Sequence, residues 1–223
     1  MKKKYLIVDT ESNGPEAYAE IWQIAWATTD AHANTIKTDG GYLQPHERMN
    51  QDAIRITGFT RADLKKWAEP ADGLYRRLLK DLRGCKAIIG HSVDQDIARM
   101  IHDSERRCSE EIASKVKAAL KSIPYYDTMS HTIMFVGKTM TRGIWYHGHY
   151  GYVEKPAYPS LIELSRRLEV SRDGIVSHTA DGDTELTRRC LAKMLVSHRE
   201  LVKDLVHNKI VNPSTYYTWQ QIG

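Results

Sequence analysis

The apolar run Tyr5-Leu6-Ile7-Val8 stops abruptly at Asp9-Thr10-Glu11. So short a run, closed by charge, predicts a buried strand over 4–9 rather than a helix, which needs a longer periodic pattern. Side chains two apart on a strand point the same way. Asp9 and Glu11 therefore converge at the strand's C-terminal end, where open α/β sheets commonly place their ligand sites. Two carboxylates held that close repel unless a cation sits between them. Alone, an Asp-x-Glu pair is more often a solvated strand end, so this feature constrains the fold before it says anything of chemistry.

The segments that follow extend a sheet and then cover it. Residues 20–29 and 35–43 read as strands joined through the turn region 31–34, which begins an antiparallel meander. Helical spacing marks 60–67 and 70–83, the second through Leu74, Leu78 and Leu82. A short strand at 86–89 leads through Gly90 into a helix over about 93–105. Ile112, Val116 and Leu120 define another helix over 109–121. Further helices are expected over 159–168, with Pro159 in the first turn, and over 182–207 with a break near Ser197. The stretch 138–158 mixes glycines with aromatic residues and reads as a loop or loose hairpin. Repeats, low-complexity runs and linkers are absent from the sequence, so it divides into one domain over 1–210 and an aromatic tail over 211–223.

Composition narrows the class. With 223 residues, 27% charged and 41% hydrophobic, the chain has the make-up of an ordinary globular domain with one core. No apolar run approaches the roughly 18 residues of a membrane span. The basic start Met1-Lys2-Lys3-Lys4 is followed by too short an apolar stretch for a signal peptide. Cys85, Cys108 and Cys190 are odd in number and widely spaced, the pattern of reduced thiols, so a cytoplasmic location is expected. A net charge of +4 permits an acidic partner such as nucleic acid without requiring one.

Two more polar segments fall where sheet ends meet helix starts. Gly90-His91-Ser92-Val93-Asp94-Gln95-Asp96 follows the strand at 86–89 and opens a helix. Capping of the helix would account for one acid there, but not obviously for both Asp94 and Asp96. His178-Thr179-Ala180-Asp181-Gly182-Asp183 precedes the last long helix. Here an imidazole and a carboxylate can line one pocket, or Asp181 or Asp183 can simply cap the helix. Considered together, the segments supply four hard oxygen donors, Asp9, Glu11, Asp96 and Asp183. Such donors suit two Mg²⁺ or Mn²⁺ ions rather than zinc, and paired ions of this kind cleave phosphodiesters. Histidine titrates near neutrality, so His178 can take a proton from the attacking water.

These residues resemble the His-type DEDD exonucleases, the DnaQ-like family of the polymerase III proofreading subunit, ribonuclease T and oligoribonuclease-like enzymes. YLIVDTESNG looks like the first family motif, IIGHSVDQDIARM the second and HTADGDTE the third. Tyr126-Asp127-Thr128 and the segment from Pro159 to Leu168 are softer matches. The resemblance covers roughly residues 4–196. It implies a ribonuclease H-like α/β fold, a mixed five-stranded sheet flanked by helices, and metal-dependent 3′-to-5′ exonuclease activity. It also implies Asp9, Glu11, Asp96 and Asp183 as metal ligands and His178 as general base. Ser92, Gln95 and Thr57 depart from the family pattern, and none is an implied ligand.

Substrate contacts are expected from Thr10, Ser12, Asn13 and Gly14 after the first strand and from His91 in the second motif. The expected substrate is a single-stranded 3′ end of DNA or RNA. Trp22 is expected in the core, Gln23 as a plain strand residue and Asp127 as a buried hydrogen-bonding group behind the site. Aromatic residues with Arg142 and Lys155 make 143–152 a candidate for added substrate contact. The same loop, or the tail 211–223 with Tyr216, Tyr217 and Trp219, is a candidate surface for a homodimer or a larger nuclease assembly.

Overall fold

A computed structural model describes residues 2, 4–146 and 149–207 of the chain; the tail 211–223 and His147 lie outside them. The central strand β1 (Tyr5–Ser12) pairs antiparallel with β2 (Ile21–Thr29), which pairs antiparallel with β3 (Thr35–Tyr42). The short helices α1 (Gln51–Thr57) and α2 (Arg61–Trp67) follow, then α3 (Ala71–Leu82). Strand β4 (Ala87–Gly90) returns beside β1 in parallel and runs into α4 (Val93–Arg107). After α5 (Glu110–Ser122) comes β5 (Tyr125–Asp127), parallel to β4, and the one-turn helices α6 (Thr128–His131) and α7 (Ile133–Val136). Next stand β6 (Thr139–Tyr146) and β7 (His149–Pro156), then α8 (Leu161–Arg167), α9 (Ala180–Ser197) and α10 (Lys203–Val206).

The main sheet thus has five strands in the order β3-β2-β1-β4-β5, mixed in direction and flanked by helices as the sequence predicts. Its parallel half is buried on both faces, as parallel strands require. Leu6, Val8 and Ile88 pack with Leu78 of α3, Ile97 and Met100 of α4 and Val116 of α5. Tyr5, Ile7 and Ile89 pack on the other face with Leu164 of α8 and Leu186, Cys190 and Met194 of α9. A third cluster joins Trp22, Met49 and Leu64 beneath α1 and α2, so Trp22 belongs to the core. No helix among the described residues is long and apolar enough to cross a membrane.

Three details differ from the expectations. Helix α1 was not foreseen from sequence: it buries no residue, so it carries no apolar stripe to betray it. It starts at an Asn50 cap, and the Asn13 side chain holds that corner by accepting from the Asn50 amide and donating to the Arg48 carbonyl. The stretch expected as a loop or loose hairpin is a regular antiparallel ribbon, paired from Thr139↔Pro156 to Tyr146↔His149. The last helix begins at Ala180, two residues earlier than expected, and ends at Ser197, where the break was placed.

A candidate active site at the end of the central strand

Alternation along β1 sorts the polar residues before any motif is considered. Leu6 and Val8 face α3–α5, whereas Tyr5 and Ile7 face α8 and α9. Asp9 and Glu11 continue the second set and project toward α9, and Thr10 continues the first and projects toward α4. Asp183, in the first turn of α9, completes one side: carboxylate oxygens of Asp9, Glu11 and Asp183 lie within 4.8 Å of one another. On the other side the Thr10 hydroxyl donates to Asp96 Oδ1 at 2.6 Å. The three sequence segments therefore meet around the end of one strand.

Burial and mutual repulsion make these acids hard to ionise. Burial pushes Asp9 well above the usual carboxylate range, and the charges of Asp96, Asp183 and Glu11 push it further while Arg99 opposes them. Glu11 rises to about 8, through burial first and then Asp183 and Asp96. Asp96 rises to about 7 by burial, against the pull of the Thr10 hydrogen bond and Arg99. Asp183 is raised by burial and held back by the charge and backbone amide of His178. A cluster of this kind is stable as four anions only with added positive charge.

The donor set fits a hard divalent cation. All donors are carboxylate oxygens, the chemistry of magnesium and manganese. Asp96 Oδ2 is buried without any hydrogen-bond partner, a costly arrangement for a carboxylate unless something else meets it. Among the described residues the cation paired with Asp96 is Arg99, whose Nη1 stands 3.6 Å from Asp96 Oδ1. Arg99 also donates to the carbonyls of Pro15 and Glu16, tying the loop after β1 to α4. It was not singled out in the sequence, although its i,i+3 spacing from Asp96 is a readable signal.

His178 is exposed on the turn before α9, with φ at 61° in the left-handed region. Gly182 makes this turn possible. A side chain there would start 2.0 Å from the Val176 carbonyl oxygen, so only glycine lets the turn lie against the first turn of the helix. The capping alternative for the acids does not hold. Thr179 caps α9 by accepting from the Gly182 amide, while Asp181 accepts from the Gln23 amide group at 2.8 Å. Gln23 also takes the Ala180 N–H at 3.0 Å through its carbonyl oxygen. The expectation of a plain strand residue is therefore corrected: Gln23 clamps the start of α9 to β2.

Asp127 is buried and hydrogen-bonded behind the site, as expected. It accepts from the amides of Ser92 at 2.7 Å and Met129 at 3.0 Å. The first of these holds Ser92 at φ 76°, the sharp corner that sets α4 and Asp96 in place. His91 has both ring nitrogens engaged, Nδ1 with the Thr128 hydroxyl and Nε2 with the Pro159 carbonyl. It braces α6 and the start of α8. Thr10 likewise spends its hydroxyl on Asp96, and Asn13 its amide on residues 48–50. Ser12 donates to the Gly14 carbonyl, and both are half-buried at the rim.

Comparison with solved structures gives a consistent fold. The chain is similar to Escherichia coli exonuclease I in a zinc-bound complex with single-stranded DNA, with TM-score 0.66 and 16% identity over 91% of this chain and 42% of that one. It is similar also to the same enzyme in complex with a dA16 oligonucleotide, with TM-score 0.65 and 16% identity over 90% and 42% of the two chains. With a dT13 complex the figures are 0.65, 16%, 90% and 43%. The chain thus spans less than half the length of these proteins, and the likeness is one of fold, the ribonuclease H-like fold. Curated protein sequences give no significant match. The family model RNase_T, described as exonuclease, matches residues 6–191, and with that span the chain belongs to this exonuclease family.

Proposed function

We propose that this protein hydrolyses phosphodiester bonds at single-stranded 3′ ends of DNA or RNA, releasing nucleotides one at a time. The observation that carries the reading is the convergence of Asp9, Glu11 and Asp183 within 4.8 Å, with the unpartnered Asp96 Oδ2 beside them. Asp9, Glu11, Asp96 and Asp183 are the residues to hold two Mg²⁺ or Mn²⁺ ions. Bound there, such ions lower the pKa of water and neutralise charge on the leaving oxygen.

The chain's own residues do the rest. His178 accepts the proton of the attacking water at its imidazole, and its exposure leaves it open to solvent for the return of that proton. Gly182 and the Thr179 cap hold the turn that presents it. Thr10 orients Asp96, and Asp127 orients the corner at Ser92 from which α4 starts. The half-buried rim of Ser12, Asn13 and Gly14 lies next to Glu11 and offers backbone to the terminal nucleotide.

The test is incubation of 5′-labelled single-stranded DNA and RNA with Mg²⁺, Mn²⁺ or EDTA. A ladder shortening from the 3′ end only with metal is the expected result, and the faster polymer names the preferred sugar. Cleavage that survives EDTA, or that persists in Asp183→Ala, overturns the reading. His178→Ala is expected to slow single-turnover cleavage more than it weakens binding. Dinucleotides turned over faster than long strands would instead identify a hydrolase of short oligonucleotides.

A further inference from the structure

The ribbon formed by β6 and β7 takes no part in the site described above, yet it carries the most exposed aromatic surface among the described residues. Register places Trp145 opposite Tyr150 and Gly143 opposite Tyr152, so all four share one face. Trp145, Tyr150 and Tyr152 are 74%, 56% and 71% exposed, far from the burial expected of such side chains in a finished core. Their rings form a row, with centroids 5.6 Å apart between Trp145 and Tyr150 and 5.4 Å between Tyr150 and Tyr152. The row depends on Gly143: a side chain there would begin 2.0 Å from the Tyr150 hydroxyl, which lies over it. Arg142 and Lys155 stand on the opposite face, exposed and without an ion pair among the described residues. Glu154 is the ribbon's one acid, and it accepts from Thr141 toward the root.

The root of the ribbon adjoins the second motif, whose Gly90 lies against the Val8 carbonyl just before Asp9. The Ala157 amide donates to the Lys138 carbonyl and closes the ribbon. Two residues on, the Pro159 carbonyl meets His91 of the second motif. From Tyr150 to Ala157 the strand covers roughly 20 Å. A single strand of a few nucleotides has the length to run from that root to the aromatic row.

We propose that the β6–β7 ribbon is an accessory arm that stacks the bases of a single strand several nucleotides behind the 3′ end held in the site. This rests on the 3′-end reading for its position, though not for its chemistry. Stacking on flat rings tolerates any base, as an enzyme that moves along its substrate needs. Arg142 and Lys155 on the other face outweigh the one acid, Glu154, on the aromatic face, so the arm as a whole is positive and attracts phosphate, which a second copy of this positively charged chain would not supply. A dinucleotide is too short to touch both places.

The experiment compares the full chain with a Trp145→Ala, Tyr150→Ala, Tyr152→Ala variant and with the corresponding triple Phe variant. Binding of labelled dT20 and rU20 is read by anisotropy in EDTA, where no metal-dependent step intervenes, and hydrolysis of a dinucleotide and of dT20 is read with Mg²⁺. The Ala variant is expected to bind a 20-mer at least about tenfold more weakly, to hydrolyse the dinucleotide at the unaltered rate, and to be rescued in binding by the Phe variant. Equal 20-mer binding by the unaltered chain and the Ala variant overturns the arm. So does a change of oligomeric state, read by sedimentation, with nucleic-acid binding unchanged, because the occupant is then a second copy. Loss of 20-mer binding in the Ala variant, alongside no hydrolysis by the unaltered chain, supports the arm and rejects the 3′-end reading instead.

Discussion

The Thr10 hydroxyl donates to Asp96 Oδ1 at 2.6 Å across 86 positions of sequence, while Oδ2 of the same carboxylate is buried without a partner. One oxygen is fixed by the protein and the other is left for something else. Thr10→Val keeps the shape and removes the donor. It is expected to lower stability by about 1–3 kcal/mol and to slow cleavage through a mobile Asp96. Urea melts and single-turnover rates check this; no change in either means that the hydroxyl does not hold Asp96.

Asp9 is surrounded by three other acids and disfavours its own charge. Asp9→Asn is expected to abolish cleavage yet raise the melting temperature in EDTA at pH 8 by a few degrees, because one repelling anion is gone. A melting temperature lowered in EDTA would show that Asp9 is held by structural partners instead.

Metal-free stability is expected to depend on pH in a defined sense. Glu11 and Asp96 are raised to about 8 and about 7 in the folded protein, whereas free carboxylates titrate near ~4. Between these values the folded state binds more protons than the unfolded chain, so stability falls as pH rises from about 4 through about 8. Urea midpoints measured in EDTA at pH 5 and pH 8 should differ in that direction, and Mg²⁺ should flatten the slope. Stability that rises across this interval contradicts the raised values.

Gln23 bonds Asp181 and the Ala180 amide with the two ends of one side chain. Gln23→Leu leaves both groups without partners and is expected to cost about 1–3 kcal/mol and to reduce turnover, since α9 carries Asp183. Unaltered stability, read by thermal melts, would mean that water replaces the amide at no cost.

Gly182→Ala drives a methyl group against the Val176 carbonyl. The turn bearing His178 must then shift, and a displacement of about 1 Å is enough for roughly a hundredfold loss of rate. Binding of dT20 should change far less. Equal losses in rate and affinity would place His178 in substrate positioning.

Much of this was legible in sequence because it is local. The acids sit at strand ends and helix starts, places marked by apolar runs that end in charge, as at Val8-Asp9, or in glycine, as at Ile89-Gly90. Asp127 and the break at Ser197 could be read in the same way. Gln23 could not, because its partners lie more than 150 positions away and its strand looks like any buried strand. Thr179 displaced the two acids as the cap because they were needed elsewhere, which no local rule records. Helix α1 escaped because it turns no apolar stripe to the core, the pattern that periodicity detects, and for the same reason the β6–β7 ribbon was legible as a hairpin but not in its regularity.

The alternation of β1 has a last consequence. Leu6 and Val8 on one side and Tyr5 and Ile7 on the other belong to the same zigzag that sends Thr10 to Asp96 and Asp9 to Asp183. Deleting a single residue among 5–8 would turn every later side chain to the opposite face. Leucine and isoleucine would tolerate the exchange of neighbours, but Asp9 and Glu11 would point at α4 and Thr10 at α9. The frame of this strand therefore bears on the whole site at once, whereas each acid bears only on its own place in it.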